Sequence, residues 1–247
     1  MYFERWSNLK QYSGYTLFGD GDDGGTPVFN EIKQKYLGNC YFIASLASVG
    51  EYPGFIQNAF INKEKNKEGI YLIRFYIRGK PWVVSIDDNI LVYKNYPNPE
   101  IVTTLPSDNA FWGVLLTKAW AKVKGSYVAS EGGFMQTGMR SLTGAPVQSF
   151  KMKNYDKKSI DDLYEKLKEA DKKGWVMGLG TIGSGSHDET TECGIACSHA
   201  YSIISVFTLK YNGKDIDMLL IRNPWGTTDY KLPWSAKGGR WTDELVK

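Results

Sequence analysis

The chain has 247 residues, 42% hydrophobic and 23% charged, with a formal net charge of +3. That balance is ordinary for a globular protein with a sizeable core, and it is too near neutral to argue for nucleic-acid binding. No apolar stretch approaches the ~18–20 residues that span a bilayer, Met1–Trp6 lacks the apolar region of a signal peptide, and three cysteines make no disulfide framework, so a reducing cytoplasm is the expected compartment.

Residues 1–30 are rich in Gly, Asp and aromatics and are expected to be irregular structure packed on the domain. Counted from Asp20, the residues Asp22, Gly25 and Glu31 fall where a calcium loop needs them. Gly24 and Pro27 break that pattern, so a solvated turn is expected for Asp20–Gly25. Gln34–Gly38 reads as a loop. From Cys40 to Val49 the residues Phe42, Leu46 and Val49 recur at helical spacing, which predicts a buried helix with one apolar face. Asn39 has the chemistry of an N-cap. Cys40 would then sit at the positive end of the helix, where a thiolate is favoured over a thiol.

Asn62–Glu68 is an exposed polar loop. Ile70–Ile77 and Trp82–Asp87 are rich in β-branched and aromatic residues and predict a hairpin across Arg78-Gly79-Lys80. A loop bearing Pro97, Pro99 and Pro106 leads to a helix at 109–124, with Phe111, Leu115, Ala119 and Val123 every four residues. Ser130-Glu131-Gly132-Gly133 breaks that pattern, and Thr143-Gly144-Ala145-Pro146 is the candidate domain boundary. A second amphipathic helix is predicted at 159–173, with Ser159 and Asp162 as its capping pair. Trp175–Gly180 reads as a buried strand and 181–198 as a Gly/Ser/Thr-rich loop. Tyr201–Phe207 and Asp217–Arg222 form a hairpin turned by Asn212-Gly213.

That last hairpin has a chemical consequence. The start of its first strand lies beside the end of its second, so His199 and Asn223 come within reach of each other, allowing for a bulge. A thiol protease needs a thiolate nucleophile, a histidine to move the proton and a group that fixes the histidine tautomer. Cys40, His199 and Asn223 supply these types in the order Cys, His, Asn. A rival reading takes His187, Cys193, Cys197 and His199 as zinc ligands in a protein-binding module; it leaves Cys40, Gln34 and Asn223 unexplained. A third takes the chain as a non-catalytic pseudoprotease that binds peptides.

Three blocks resemble the calpain protease core: Gln34 followed after five residues by Cys40, Ser198-His199-Ala200-Tyr201-Ser202, and Ile221-Arg222-Asn223-Pro224-Trp225-Gly226. Phe111-Trp112, Lys118–Lys122, Gly132-Gly133 and Arg240–Asp243 extend the resemblance over about residues 25–245. It implies an α+β, papain-like cysteine proteinase fold, with subdomain 1 at 1–143 (mainly helical, carrying the nucleophile) and subdomain 2 at 144–247 (mainly β, carrying His and Asn). The active site would lie in the cleft between them. By the same resemblance Cys40 is the nucleophile, His199 the base and then acid, and Asn223 its orienting partner. Trp225 shields that pair, and Gln34 supplies an oxyanion donor with the Cys40 amide. Gly132, Gly133, Ser198 and Trp225 would line the substrate cleft. The implied partners are protein substrates, with room for regulatory domains or subunits. No cofactor is implied for the chemistry itself. Calcium is a candidate activator, with Glu31 and Asp229 as candidate ligands. Calpains usually have Gly-Asp-Cys-Trp where this chain has Gly38-Asn39-Cys40-Tyr41, a Gly at Ser198, and an acidic residue at Ala110.

Overall fold

The structure, a computed structural model, describes residues 1–19, 32–52, 54–95, 97–105, 109–183, 189–227, 230–235, 238–242 and 245. The 20–25 turn, Glu31, His187, Asp229 and Asp243 lie outside them.

Helix α1 (Cys40–Gly50) is the centre of the molecule, and every residue from Tyr41 to Val49 is buried. The expected single apolar face is therefore too narrow. Small residues on the remaining faces let neighbours close in from every side. The elements packed on α1 include α2 (Phe55–Ala59), α3 (Trp112–Lys124), α4 (Met135–Thr143) and strand β9 (Ala200–Tyr211). The approach of α4 is close, since a Cβ on Gly138 would lie 2.5 Å from Ser45 Oγ. Phe42 stacks on Trp120 of α3, with ring centroids 4.8 Å apart. Fully burying one such side chain contributes about 1.5–3 kcal/mol.

The predicted hairpin is β3 (Ile70–Ile77) paired with β4 (Lys80–Asp87). Its strands meet at a two-residue turn whose residues, Arg78 and Gly79, both have positive φ, so Lys80 and Pro81 join the strand. Residues 1–19 are less irregular than expected: β1 (Tyr2–Arg5) pairs with β5 (Asn89–Tyr93), and two 3-10 turns follow it. Short strands β2 (Lys33–Gln34) and β7 (Thr104–Leu105) pair with each other, and β6 (Glu100–Ile101) pairs with β5.

The second amphipathic helix, α5, runs Lys157–Lys172. Its cap is Asp156, whose Oδ1 accepts from the Ser159 amide at 2.8 Å, so Ser159 lies inside the helix. Strand β8 is Met177–Gly180, while Trp175 stands outside it and is 58% exposed. The C-terminal sheet has the order β10-β9-β8, with β10 spanning Lys214–Arg222. The Asn212-Gly213 turn has φ of +50° and +72°, as a primed hairpin turn requires. Buried apolar residues fall into two clusters. The larger surrounds α1 and reaches from Trp6 to Ala200. The smaller joins Ala170, Met177, Ile203 and Val206 between α5 and the C-terminal sheet.

Candidate active site

Cys40 opens α1, partly buried against the larger core. The loop before it is pinned from across the chain. Gly38 donates to Glu131 Oε1 at 3.2 Å, and Gly132 donates to Gly38 O at 2.9 Å. Gly132 holds φ of +62°, and a Cβ on Gly133 would lie 2.7 Å from the Tyr41 ring. Tyr41 cannot yield, because its hydroxyl donates to Ser130 O at 3.0 Å and accepts from Trp120 Nε1 at 2.8 Å. Gly132 and Gly133 thus flank the Cys40 turn.

Asn39 does not cap the helix through its side chain. Its backbone carbonyl accepts from Phe42 and Ile43, while its fully buried carboxamide makes no hydrogen bond among the described residues. The cap expectation fails because the side chain points into the core. The thiolate expectation also needs revision. Burial pushes the Cys40 thiol up, opposed by the backbone N–H groups of Ala200, Tyr41 and Cys40 itself. The helix terminus pulls the right way but does not outweigh desolvation.

Strand β9 brings the histidine to this helix. Ser202 Oγ donates to Ala44 O at 2.9 Å, and the Ala200 amide bears on the Cys40 sulfur. Cys40 and Ala44 lie one turn apart on α1, facing alternate residues of β9. His199 immediately precedes that strand and is 2% exposed. Its Nε2 lies 2.8 Å from Asn223 Oδ1. Register explains this meeting. Residues 205 and 220 pair, then 203 and 221, so Ile204 is a bulge. Continued past Arg222, the shifted register sets Asn223 opposite Tyr201, on the same face as His199. Without the bulge Asn223 would oppose Ser202 on the other face.

Asn223 is held in turn. Its Oδ1 also accepts the Trp225 amide at 3.0 Å, which marks that atom as the carbonyl oxygen. The Trp225 ring lies 4.2 Å from the His199 ring and covers one side of it, while Tyr201 meets the imidazole edge-on at 5.0 Å. Thr181 brackets the His199 main chain, accepting the His199 N–H at its hydroxyl (2.9 Å) and donating its own amide to His199 O (2.8 Å). Ser198 is exposed, with φ of +46°, and donates to Gly183 O at 3.1 Å.

Gln34 joins the same neighbourhood by its backbone, donating to Pro224 O at 2.8 Å. Its Nε2 donates to Leu37 O at 2.7 Å, which leaves the second N–H of that amide for another acceptor. Arg222 reaches back to donate to Ile32 O, tying the approach to Gln34 to the end of β10. Cys40, Gln34, His199, Asn223, Trp225, Gly132 and Gly133 are thereby linked through direct contacts and adjacent backbone. Thr181, Glu131 and Arg222 are supporting residues that composition and spacing do not mark. Only the β8–β9 register, which sets Gly180 opposite Ala200, points to Thr181.

The cysteines are unpaired. Among the described residues no group of three or more His, Cys, Asp and Glu is placed to hold a metal; His187 of the zinc reading lies outside them. Among those residues no helix is long and apolar enough to cross a membrane.

A cysteine at a helix N-terminus, beside a histidine bonded to a carboxamide, is the arrangement of a cysteine peptidase. The family model described as "Calpain family cysteine protease" matches residues 23–246. The chain belongs to that family. It is 32% identical over 229 residues to "Calpain-type cysteine protease ADL1" of Oryza sativa subsp. japonica, covering 90% of this chain and 10% of that protein. It is 28% identical over 223 residues to "Calpain-9" of Mus musculus, covering 88% of this chain and 31% of that protein. The chain thus spans a tenth to about a third of the length of these relatives.

Proposed function

We propose that this chain is the catalytic core of a calpain-type cysteine endopeptidase that cleaves proteins in the cytoplasm. Cys40 attacks the scissile carbonyl carbon, and the carbonyl oxygen takes up the electron pair. Gln34 Nε2 and the Cys40 amide stabilise that oxyanion. His199 accepts the thiol proton, delivers it to the leaving amine, and then takes a proton from the water that hydrolyses the thioester.

The observation that carries this reading is the bond between His199 Nε2 and Asn223 Oδ1. An oxygen that also accepts the Trp225 amide requires Nε2 to carry the hydrogen. Nδ1 is then the nitrogen left to exchange a proton with the thiol. Because burial alone favours the neutral thiol, the thiolate depends on pairing with the imidazolium. The two apolar clusters support a division into subdomains at 1–143 and 144–247, with the cleft where α1 meets β9. Calcium belongs to this reading as a candidate activator through Glu31 and Asp229; the steps above use only Cys40, His199, Asn223 and Gln34. Cys40→Ser is expected to abolish hydrolysis of a fluorogenic peptide while leaving the melting temperature within about 2 °C. Unchanged turnover in that variant contradicts the proposal.

A further inference from the structure

The loop after β8 carries a hydroxyl that grips the main chain of His199 from both sides. Thr181 Oγ1 accepts the His199 N–H at 2.9 Å and donates to Ala196 O at 2.7 Å. The Thr181 amide donates to His199 O at 2.8 Å. One residue therefore holds the donor and the acceptor of the histidine backbone and ties them to the turn ahead of it. That turn needs holding, since Ser198 has φ of +46°, a left-handed conformation that non-glycine residues adopt only at a cost. Ser198 Oγ bonds Gly183 O, two residues beyond Thr181, and Ala196 N donates to Tyr201 Oη at 2.9 Å. The ladder between β8 and β9 ends at Gly180 opposite Ala200. At the next step the side chain of Thr181 extends the sheet's hold to the residue that does the chemistry.

We infer that Thr181 is a positioning residue for His199, its hydroxyl setting the height and rotation of the imidazole between Asn223 and Cys40. This rests on the proposed protease reading. The hydroxyl does not touch substrate, so its removal should slow the chemical steps and leave substrate binding nearly unchanged. A proton carrier displaced by a fraction of an ångström loses rate steeply.

The test compares Thr181→Val, which keeps the shape and removes the hydroxyl, with Thr181→Ser, which keeps the hydroxyl. The readouts are kcat and KM on a fluorogenic peptide, the pH profile of kcat/KM, and alkylation of Cys40 by an epoxide, followed by mass spectrometry. Thr181→Val is expected to lower kcat about tenfold or more, move KM less than about twofold, and displace the acid limb of the profile. Thr181→Ser is expected to stay within about threefold of the parent chain. If Thr181→Val does not fold, Thr181→Ala is read by the same criteria. Parent kinetics in the hydroxyl-free variant overturn the inference, as does an equal loss in Thr181→Ser. Those results leave the protease reading standing, provided the parent chain is labelled at Cys40. A parent chain that neither cleaves nor labels at Cys40 overturns the reading beneath it.

Discussion

Asn223 Oδ1 accepts from both His199 and the Trp225 amide, and that one atom fixes Nε2 as the imidazole nitrogen that carries the hydrogen. Asn223→Ala removes the anchor and is expected to lower kcat by about a hundredfold or more, with KM changing far less; steady-state kinetics check this. Burial pushes the Cys40 thiol up from its ordinary value. His199→Ala should therefore expose a thiol that alkylates appreciably only in alkaline solution. The parent chain should alkylate at neutral pH. Rate against pH for both proteins shows whether the imidazolium supplies the thiolate. The candidate triad was legible in the sequence because Asn212-Gly213 fixes a hairpin, and counting outward from it pairs His199 with Asn223. The face was not, because the bulge at Ile204 has no mark in composition. Asn39 misled for a different reason: its chemistry suits a cap, but its side chain is drawn into the core.

Elements set the framework for these residues. Helix α5 gives a clean comparison of two candidate caps. Asp156→Ala removes the bond to the Ser159 amide and is expected to cost about 1 kcal/mol, whereas Ser159→Ala should be near neutral; urea unfolding of both variants checks it. At the rim of the candidate cleft, Gly133→Ala pushes a Cβ to 2.7 Å from a locked tyrosine ring. Overpacking of that kind costs about 1–3 kcal/mol, so thermal melting of the variant should fall. Periodicity made α1, α3, α5 and both hairpins legible, since each is long enough to repeat its pattern. Strands β1, β2, β6 and β7 contain four residues or fewer. β1, β2 and β7 exist because a partner strand from far along the chain satisfies their backbone groups, while β6 is a two-residue return beside β5; no local pattern announces either.

Across the whole molecule, β9 contributes to both apolar clusters, Ala200 to the larger and Ile203 and Val206 to the smaller, and the candidate catalytic residues lie at the seam where it packs on α1. Ser202 to Ala44, Gln34 to Pro224 and Arg222 to Ile32 tie the seam near Cys40. At the other end of α1, burial and the nearby Asp171 carboxylate raise the Glu51 carboxyl to about 7, and Tyr52 beside them is also raised. A carboxyl raised on folding stabilises the folded chain below its unfolded value near 4.5 and loses that contribution as pH rises through about 7. Glu51→Gln should therefore raise the melting temperature at pH 8 and leave it unchanged at pH 4. The claim on which all of this turns is that Cys40 is a nucleophile activated by His199. Epoxide alkylation of the parent chain, with the modified peptide located by mass spectrometry, tests it most directly. Fast modification of Cys40 at neutral pH, lost in His199→Ala, is the result expected. Modification confined to Cys193 and Cys197, or equal labelling of Cys40 with and without the histidine, would contradict it.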